Sequence, residues 1–294
     1  MSACNGILPV YKERGYTSAD VVALLRGILS MKKIGHTGTL DPEAEGVLPC
    51  CLGKGTKLAG MLTDTDKAYR CTMRLGIKTD TEDMTGTVLE ERDINGIGSS
   101  DIEKALMGFV GPYDQVPPMY SAKKVDGKRL YEYARDGVEI QRKSVRVEIL
   151  SLRILNVALP LVTFETECSK GTYIRSLCRD AGEVLGCGAA MEELIRIRAG
   201  IFSLKDCLTL KEIEELKASG NLSAHIVPPD KIFSEYPEFR SEDVTSDRLL
   251  KNGNRLLLPK LSDGKIRAYL SDGRFAGLYE IRNGTGKCCA FFLT

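Results

Sequence analysis

The chain of 294 residues has the composition of an ordinary globular protein, with 43% hydrophobic and 28% charged residues. Its formal net charge of +1 gives no overall preference for a polyanion, although a local basic surface would be enough to bind phosphates. No apolar run approaches the roughly 20 residues that span a bilayer, and the N-terminus has no basic-then-apolar signal, so we expect a cytoplasmic protein without a membrane association.

The ten cysteines do not have the spacing of a metal site. No C-x-x-C pair occurs, and His225 has no cysteine close to it, so a zinc site is not expected. Without a secretory signal the compartment is expected to be reducing and the thiols free.

The first elements are a strand and a helix. Residues 6–11 form a short apolar run that favours an edge strand ending near Lys12. Thr17 begins a segment with helix-start chemistry, and apolar residues at helical spacing continue it towards Met31.

Most elements between residues 67 and 217 have clear periodicities. The exception is residues 80–93, which are acidic and turn-rich and are expected to be a solvated loop with an edge strand. The strand patterns cover residues 67–75, 145–149 and 161–167, and the helix patterns cover residues 101–110, 174–185 and 209–217.

The character of the chain changes after residues 225–230, where two prolines interrupt any regular element. Short β-like runs follow, separated by Asp-Gly or Asn-Gly pairs at 263–264, 272–273 and 283–284, which are hairpin-turn signals. This pattern predicts a small β-barrel of about 55 residues. The whole chain is therefore predicted to be an α+β protein with an appended all-β module.

The most informative stretch is residues 35–49, which we call the signature loop. It places His36 and Asp41 among three glycines, which allow a backbone to turn sharply and to approach a ligand. Pro42 forces Asp41 out of the helical region. Because proline also suits the first position of a helix, Asp41 could equally be an N-cap, and the residue types alone favour that interpretation.

The signature loop resembles that of the tRNA pseudouridine-55 synthases, which isomerise one uridine in the TΨC arm. It meets their pattern G-H-x-G-x-L-D-P-x-A-x-G-x-L-P at every fixed position. The resemblance implies a pseudouridine synthase catalytic domain on a mixed, mostly antiparallel sheet over residues 1–230. A PUA-like RNA-binding barrel would follow over residues 231–294.

This reaction breaks the bond from C1′ to N1 of uridine and joins C1′ to C5. Nothing is oxidised and no group is imported, so no metal and no nucleotide cofactor are expected. A carboxylate could attack C1′, add to C6 of the uracil, or assist loss of the 2′-hydrogen through a glycal. The resemblance implies that Asp41 is the carboxylate, and the sequence leaves the three routes open.

An ionised carboxylate in a closed site needs a cation nearby. Residues 169–176 resemble the family motif C-S-x-G-T-Y-I-R, whose arginine pairs with the catalytic aspartate, which implies that role for Arg175. Tyr173 in the same motif is a predicted substrate-binding residue. Read alone, an arginine near a helix start is more often a surface cation.

Three more residues have roles implied by the resemblance. Tyr69 matches a tyrosine that stacks on the target base and helps to move a proton, although a strand tyrosine is ordinarily part of the core. Leu194 matches an apolar residue that floors the pocket. The target base must leave the stack, and His36 would fill the gap that it leaves.

Residues 117–146, here called the flap, combine cations with tyrosines in a pattern typical of an RNA contact. Lys123 and Arg129 are its predicted binding residues; without the resemblance, a solvated helix would be the usual interpretation. Lys12 is also predicted to bind substrate. The family string D-K-P-x-G-x-T-S keeps its lysine and Thr-Ser here but loses the aspartate and proline, which leaves the conformation of the Lys12 loop open.

In the C-terminal module, Lys251, Arg255 and Arg267 could meet the acceptor end of the tRNA. The expected partner is the T-arm stem-loop alone, because the tail lacks the long basic extension of relatives that work inside guide-RNA particles. A monomer without an obligate protein partner is expected by analogy.

Three other functions compete with this interpretation. A phosphate-binding loop at residues 53–56 fails on spacing, because the glycine it needs five residues earlier is Leu48. A non-catalytic RNA-binding or RNA-chaperone protein would use the same basic surface. A synthase acting on another RNA uridine would keep the same pocket.

Overall fold

The computed structural model describes residues 5–138 and 140–293. The strands are β1 (Gly6–Lys12), β2 (Ile34–His36), β3 (Glu45–Leu52), β4 (Lys67–Leu75), β5 (Ile77–Thr79), β6 (Val88–Glu91), β7 (Gly111–Gln115), β8 (Lys124–Val125), β9 (Lys128–Arg129), β10 (Val145–Ala158), β11 (Leu161–Cys168), β12 (Ala189–Ala199), β13 (Phe202–Ser203), β14 (Glu238–Arg240), β15 (Leu256–Leu257), β16 (Gly264–Tyr269), β17 (Phe275–Arg282) and β18 (Thr285–Phe291). The α-helices are α1 (Ser18–Leu29), α2 (Ala59–Thr63), α3 (Ser99–Met107), α4 (Leu130–Arg135), α5 (Ile174–Val184), α6 (Leu210–Ala218), α7 (Pro229–Ile232) and α8 (Val244–Lys251).

A nine-stranded mixed sheet organises the first part of the chain. Its central order is β1-β3-β12-β4-β11-β10-β7, and β2 and β13 pair with β3 and β12. Every pair is antiparallel except β3 with β12. The α+β prediction with a mostly antiparallel sheet is therefore confirmed.

Local signals account for most of these elements. Thr17 and Asp20 form a capping box at the start of α1, which satisfies backbone donors that the first turn leaves free. Strand β4 begins and ends where the alternation of residues 67–75 predicted it. Strand β10 continues to Ala158, well beyond the predicted 145–149, because β11 pairs with it along that length.

A second sheet, ordered β14-β16-β17-β18-β15, forms the C-terminal module. The Asp-Gly pair at 272–273 lies in the turn between β16 and β17, and the Asn-Gly pair at 283–284 lies in the turn between β17 and β18, as predicted. The hairpin predicted at 263–264 is wrong, because β15 pairs with β18 and not with β16. The Asp263 carboxylate instead accepts a hydrogen bond from Asn283 N at 2.9 Å, which supports the neighbouring turn.

Arg267 does not present its charge to solvent, as the sequence had suggested. Its side chain is buried on β16 and donates to the backbone oxygens of Tyr236 (2.9 Å) and Ser234 (3.2 Å). Arg267 therefore ties the preceding linker to the sheet and is not free for RNA. Arg255 is exposed and Lys251 is half-exposed, so both remain candidates for such a contact.

The two sheets share an apolar cluster. Leu278 and Phe292 of the C-terminal module pack in it with Ile7, Leu58 and Phe233. Lys54, in the segment whose spacing excludes a phosphate-binding loop, donates a hydrogen bond from its ammonium to Phe292 O at 2.8 Å. This bond also links the two parts of the chain. Within the described part of the chain, no helix is long and apolar enough to cross a membrane.

The segment predicted as a solvated loop is partly buried. Glu82 and Asp83 are each less than 10% exposed, and Glu82 has a positive φ of 64°. Backbone hydrogen bonds join Met191 N to Glu82 O (3.0 Å) and Met84 N to Met191 O (3.1 Å). The prediction of a solvated loop failed here because these pairings come from β12, far away in the sequence.

Candidate active site

The signature loop crosses one face of the large sheet between β2 and β3. Residues 41–44 form a turn, with Ala44 N donating to Asp41 O at 3.1 Å, and do not begin a helix. Asp41 is therefore not an N-cap. The Ser18 hydroxyl accepts from Leu40 N at 2.9 Å and donates to Leu40 O at 3.2 Å, which fixes the backbone just before Asp41.

Lys12 supports this turn through hydrogen bonds to its backbone. Its side chain is fully buried, and its ammonium donates to Pro42 O (2.9 Å), Ala44 O (2.5 Å) and Glu13 O (3.2 Å). An ammonium has three donors, and all three are used. The prediction that Lys12 binds substrate is revised for this reason: we propose that it acts by holding the turn that carries Asp41.

We expect Lys12→Met to destabilise the protein by about 2–4 kcal/mol, because buried carbonyl oxygens would lose their donor. Burial lowers the pKa of Lys12 from 10.5 to about 8, partly opposed by the charge of Asp41. Between those values the unfolded chain binds more protons than the folded one, so the wild type should gain stability relative to the variant as pH rises. Urea unfolding at about pH 7 and about pH 9.5 measures both effects. A variant as stable as the wild type at both values would contradict this role.

Asp41 forms a two-point ion pair with Arg175. Arg175 Nε lies 3.0 Å from Asp41 Oδ2, and Nη2 donates to Oδ1 at 3.2 Å. The arginine side chain is 5% exposed and the aspartate side chain 38% exposed, so the carboxylate faces an opening while its counter-ion is buried behind it. A bidentate pair of this kind fixes both the position and the orientation of the carboxylate.

Asp83 is a second carboxylate at this site, which the sequence analysis missed. Its Oδ2 lies 3.7 Å from Arg175 Nη1, and its Oδ1 accepts from Thr85 N at 3.0 Å and from the hydroxyls of Thr81 and Thr85. Arg175 also donates to Thr81 O at 2.9 Å. The threonine and glycine residues around Asp83 suggested only a surface turn, since nothing local indicates that it meets α5.

Arg175 also contacts the base of the flap. Its Nη2 donates to Tyr120 O at 2.8 Å, so one guanidinium joins the signature loop, the Asp83 turn and the flap. All three contacts depend on where α5 lies. The structure therefore places Arg175 at the junction of three segments that are distant in sequence.

The start of α5 is fixed by a buried glutamine that sequence reasoning did not identify. Gln115, at the end of β7, accepts from Tyr173 N at 2.7 Å and donates to Tyr173 O at 3.0 Å. About two turns further along the helix, Asp180 accepts from the Tyr113 hydroxyl at 2.5 Å. These bonds hold the helix that carries Arg175 against the sheet.

The groups around Asp41 have opposing effects on its pKa. Burial raises the pKa of Asp41 above its usual value, the charge of Arg175 lowers it, and the charge of Asp83 raises it again. Partial exposure and the two-point pair favour the ionised form at neutral pH. The site thus holds a partly exposed carboxylate whose pKa lies above its usual value, with Arg175 as the group that favours its charged form.

Tyr69 and Leu194 line the apolar wall beside this carboxylate. Both are buried in the core cluster that also contains Leu40 and Ala44 of the signature loop. Burial raises the pKa of the Tyr69 hydroxyl, and the charge of Asp41 adds to this rise. The phenol is therefore protonated at neutral pH and close enough to Asp41 to respond to its charge.

Tyr173 is the N-cap residue at which α5 begins, two positions before Arg175. Burial raises the pKa of its hydroxyl, and the charge of Asp41 contributes in the same direction, while Arg175 opposes it. Its side chain is half-buried. Tyr173, Asp41 and Arg175 are thus brought together, as the motifs implied.

His36 occupies the other end of the signature loop, on β2. Its ring is half-buried, and burial followed by the charge of Arg196 lowers its pKa, with a smaller opposing effect from the Gly38 backbone. A neutral imidazole is expected there at neutral pH. This state suits a ring that stacks on bases better than a charged one, which would lose more hydration.

Lys123 and Arg129 are not brought to the carboxylate. Both lie on the flap, around a β8–β9 hairpin whose turn residues Asp126 and Gly127 have φ values of 50° and 83°. Arg129 is exposed and Lys123 half-exposed. The flap is therefore a hairpin followed by α4, and not the single solvated helix that the composition alone favoured.

In residues 5–138 and 140–293 no group of three or more metal-ligating side chains occurs, and all nine cysteines of these ranges are free. Cys4 lies outside the described residues. The sulfurs of Cys71 and Cys178 lie 3.5 Å apart in the apolar core.

Two family models match the chain. One, described as the TruB family pseudouridylate synthase N-terminal domain, matches residues 26–174, and the other, the tRNA pseudouridylate synthase B C-terminal domain, matches residues 175–234. The junction between the two falls at Arg175. Residues 235–294, which include all five strands of the C-terminal sheet, lie outside both models.

Similar full-length proteins support the same relationship. The tRNA pseudouridine synthase B of Lachnoclostridium phytofermentans is 50% identical over 94% of this chain and 95% of its own length. That of Alkaliphilus oremlandii is 46% identical over 95% and 94%. A chain of an H/ACA RNP bound to a substrate RNA containing 2′-deoxyuridine has the same fold, with a TM-score of 0.73 and 22% identity, over 99% of this chain and 85% of that one.

Proposed function

Because the chain belongs to the TruB family of pseudouridylate synthases, we propose that it isomerises a single uridine, at position 55 of the tRNA T-loop, to pseudouridine. The reaction is an intramolecular transfer and consumes no other reactant. It begins with extrusion of the base and proceeds through cleavage of the glycosidic bond and attachment of C1′ to C5.

The observation that carries this proposal is the ion pair of Asp41 with Arg175 at a partly open position beside Tyr69. Here the arginine is buried and the carboxylate is accessible, as a group that must reach a substrate requires. The surrounding contacts hold the carboxylate ready before substrate arrives, so little reorganisation is needed at the time of reaction.

We assign Asp41 as the catalytic residue and Arg175 as the partner that keeps it ionised and oriented. The routes through C1′, through C6 and through a glycal all use the same carboxylate. Tyr69 provides a face for the extruded uracil and a hydroxyl to move a proton, Leu194 forms the apolar floor, and Tyr173 contacts the substrate.

The binding surface is proposed to consist of the flap and His36, with the C-terminal module at residues 231–294 meeting the acceptor end. In the flap, Arg129 and Arg135 lie within 6 Å of the Tyr131 ring, so cations and an aromatic face alternate on one surface. Lys123 and Arg129 would contact backbone phosphates, which predicts a strong salt dependence of binding. We propose that the enzyme works in the cytoplasm, without a metal ion and without an obligate protein partner.

We expect His36→Ala to slow turnover by about 10- to 100-fold, which is less than any change at Asp41, because stacking on a base contributes about 1–3 kcal/mol. The histidine fills the gap left by the base and takes no part in bond cleavage. The loss should be smaller for an isolated T-loop with an already unpaired target. Measuring turnover with intact tRNA and with this isolated T-loop separates the two cases, and an equal loss on both substrates would contradict a gap-filling role.

The proposed function is tested with a tRNA transcript that carries tritium at C5 of its uridines. Forming pseudouridine expels this hydrogen, so its release into water counts turnovers. The purified protein should release tritium without any added cofactor. Tight tRNA binding without release would overturn the enzyme proposal and leave the RNA-chaperone alternative.

A further inference from the structure

Arg196 on β12 is the largest fully buried side chain to which the proposed chemistry gives no role. It is 1% exposed. Within the described residues no carboxylate lies within ion-pairing distance of it, although the next arginine on the strand, Arg198, pairs with Glu167. A buried cation is costly unless other groups satisfy it, so the groups that accept hydrogen bonds from it indicate what it holds in place.

Two of these acceptors belong to the signature loop. Arg196 Nε donates to Val47 O at 2.7 Å, and Nη2 donates to Gly38 O at 3.2 Å. Gly38 follows His36 by two residues, and Val47 lies on β3 beyond Asp41. The guanidinium therefore joins the two sides of the loop that carries His36 and Asp41.

The third contact is with Tyr69. Arg196 and Tyr69 are directly opposite each other in the β4–β12 pair, so their side chains are neighbours on one face of the sheet. The charge of Arg196 opposes the rise in the Tyr69 pKa that burial causes, and it adds to the lowering of the His36 pKa. One side chain thus holds the loop backbone and lies next to the aromatic residue proposed to face the substrate.

The backbone around Arg196 is also adapted to a close approach. Gly46 lies opposite Arg196 in the β3–β12 pair and has a φ of 104°. A Cβ at that position would lie 2.3 Å from Arg196 O, which no other residue could accommodate without movement of the strand. The spacing between the loop and β12 is therefore fixed where Arg196 bridges them.

We infer that Arg196 is a positioning residue, which fixes the Tyr69 phenol relative to the loop that carries His36 and Asp41. The inference rests on the proposed function, because it assigns Arg196 to the same reaction. Arg196 itself does not reach the substrate. It is anchored to the loop backbone at Gly38 and Val47, and its effect on the reaction is exerted through the Tyr69 phenol.

A double-mutant cycle tests this inference, with Arg196→Met and Tyr69→Phe measured alone and together in single-turnover tritium release. If the arginine acts through the phenol, Arg196→Met should slow release by about 10- to 100-fold alone, and by at most about 3-fold when Tyr69 is already phenylalanine. Arg196→Lys should recover part of the rate, since it keeps the charge and one donor. Arg198→Met, two residues along the same strand, is the matched control and should behave like the wild type.

Fluorine NMR of protein labelled with 3-fluorotyrosine supplies a readout that does not depend on activity. The Tyr69 resonance, assigned by its loss in Tyr69→Phe, should move in Arg196→Met and stay in Arg198→Met. If Arg196→Met does not fold, Arg196→Lys takes its place in both measurements. An unmoved resonance, or an equal loss of rate in both Tyr69 backgrounds, would overturn the inference.

Failure of the proposed function can be told apart from failure of the positioning role. If the wild type releases no tritium, the proposed reaction is wrong and the positioning role fails with it. If the wild type is active and Arg196 shows no coupling to Tyr69, only the positioning role is wrong.

Discussion

Asp41→Asn is expected to abolish tritium release, with a loss of at least about 10⁴-fold, because removal of a catalytic carboxylate removes the step that it performs. Asparagine has the same shape and can still accept a hydrogen bond from Arg175, so the loop should keep its conformation. The affinity for tRNA should change by no more than about 3-fold, since the contacts of flap and loop are unaffected. Release in a single turnover and a binding titration measure the two effects separately.

Glu43→Gln is the matched control for this change. Glu43 lies on the same turn, is substantially exposed and pairs with Arg14 at 2.6 Å on the surface. It should retain the wild-type rate to within about 2-fold, because an exposed ion pair contributes little. A similar loss in both variants would mean that the turn, and not the Asp41 carboxylate, is what activity requires.

Arg175→Met should have the second-largest effect, with a loss of activity of about 10³-fold and of stability of about 3 kcal/mol, because it leaves buried groups without their cation. Asp41 and Asp83 would face each other without the guanidinium between them, and Thr81 O and Tyr120 O would lose a donor. Arg175→Lys keeps the charge but cannot make the two-point contact, so it should lie between the wild type and the methionine variant.

The pH dependence of the Arg175 variants follows from the sign of each effect. With Asp41 as the proposed catalytic carboxylate, turnover is expected to require its ionised form and to be lost as pH falls through its pKa. Arg175 lowers that pKa, whereas burial and Asp83 raise it. Removing the arginine should therefore move the acid limb of the rate profile to higher pH. An acid limb that stays in place or moves to lower pH would show that Arg175 does not set the charge of Asp41. Arg70→Met, which loses an exposed arginine of β4 paired with Glu165, is the control and should leave the profile unchanged.

Much of the fold follows from short-range patterns. The alternation over residues 67–75 and the capping box at Thr17 depend on neighbours in sequence, and both elements occur as predicted. The turn at residues 283–284 is also local, since its positive φ values of 50° and 70° suit asparagine and glycine. The residues of the candidate site that motifs indicated, Asp41 and Arg175, do meet.

The features that were missed depend on contacts between distant segments. Asp83 comes within 4 Å of Arg175 only because β12 and α5 pack against its turn. Lys12 holds the loop because its ammonium donates to two backbone oxygens of the loop, those of Pro42 and Ala44, and to that of its neighbour Glu13. Arg196 had one available signal: it shares a strand face with Leu194, so alternation would have pointed it inward, but an inward arginine is too rare to be expected.

The most direct test of the central claim is the number of tritium atoms released per tRNA by the wild-type protein, from two transcripts that differ at a single base. One transcript has uridine at position 55 of the T-loop, and the other has cytidine there. We predict one tritium per molecule from the first and none from the second. Equal release from both, or none from either while both are bound, would contradict the claim that this protein isomerises that one uridine.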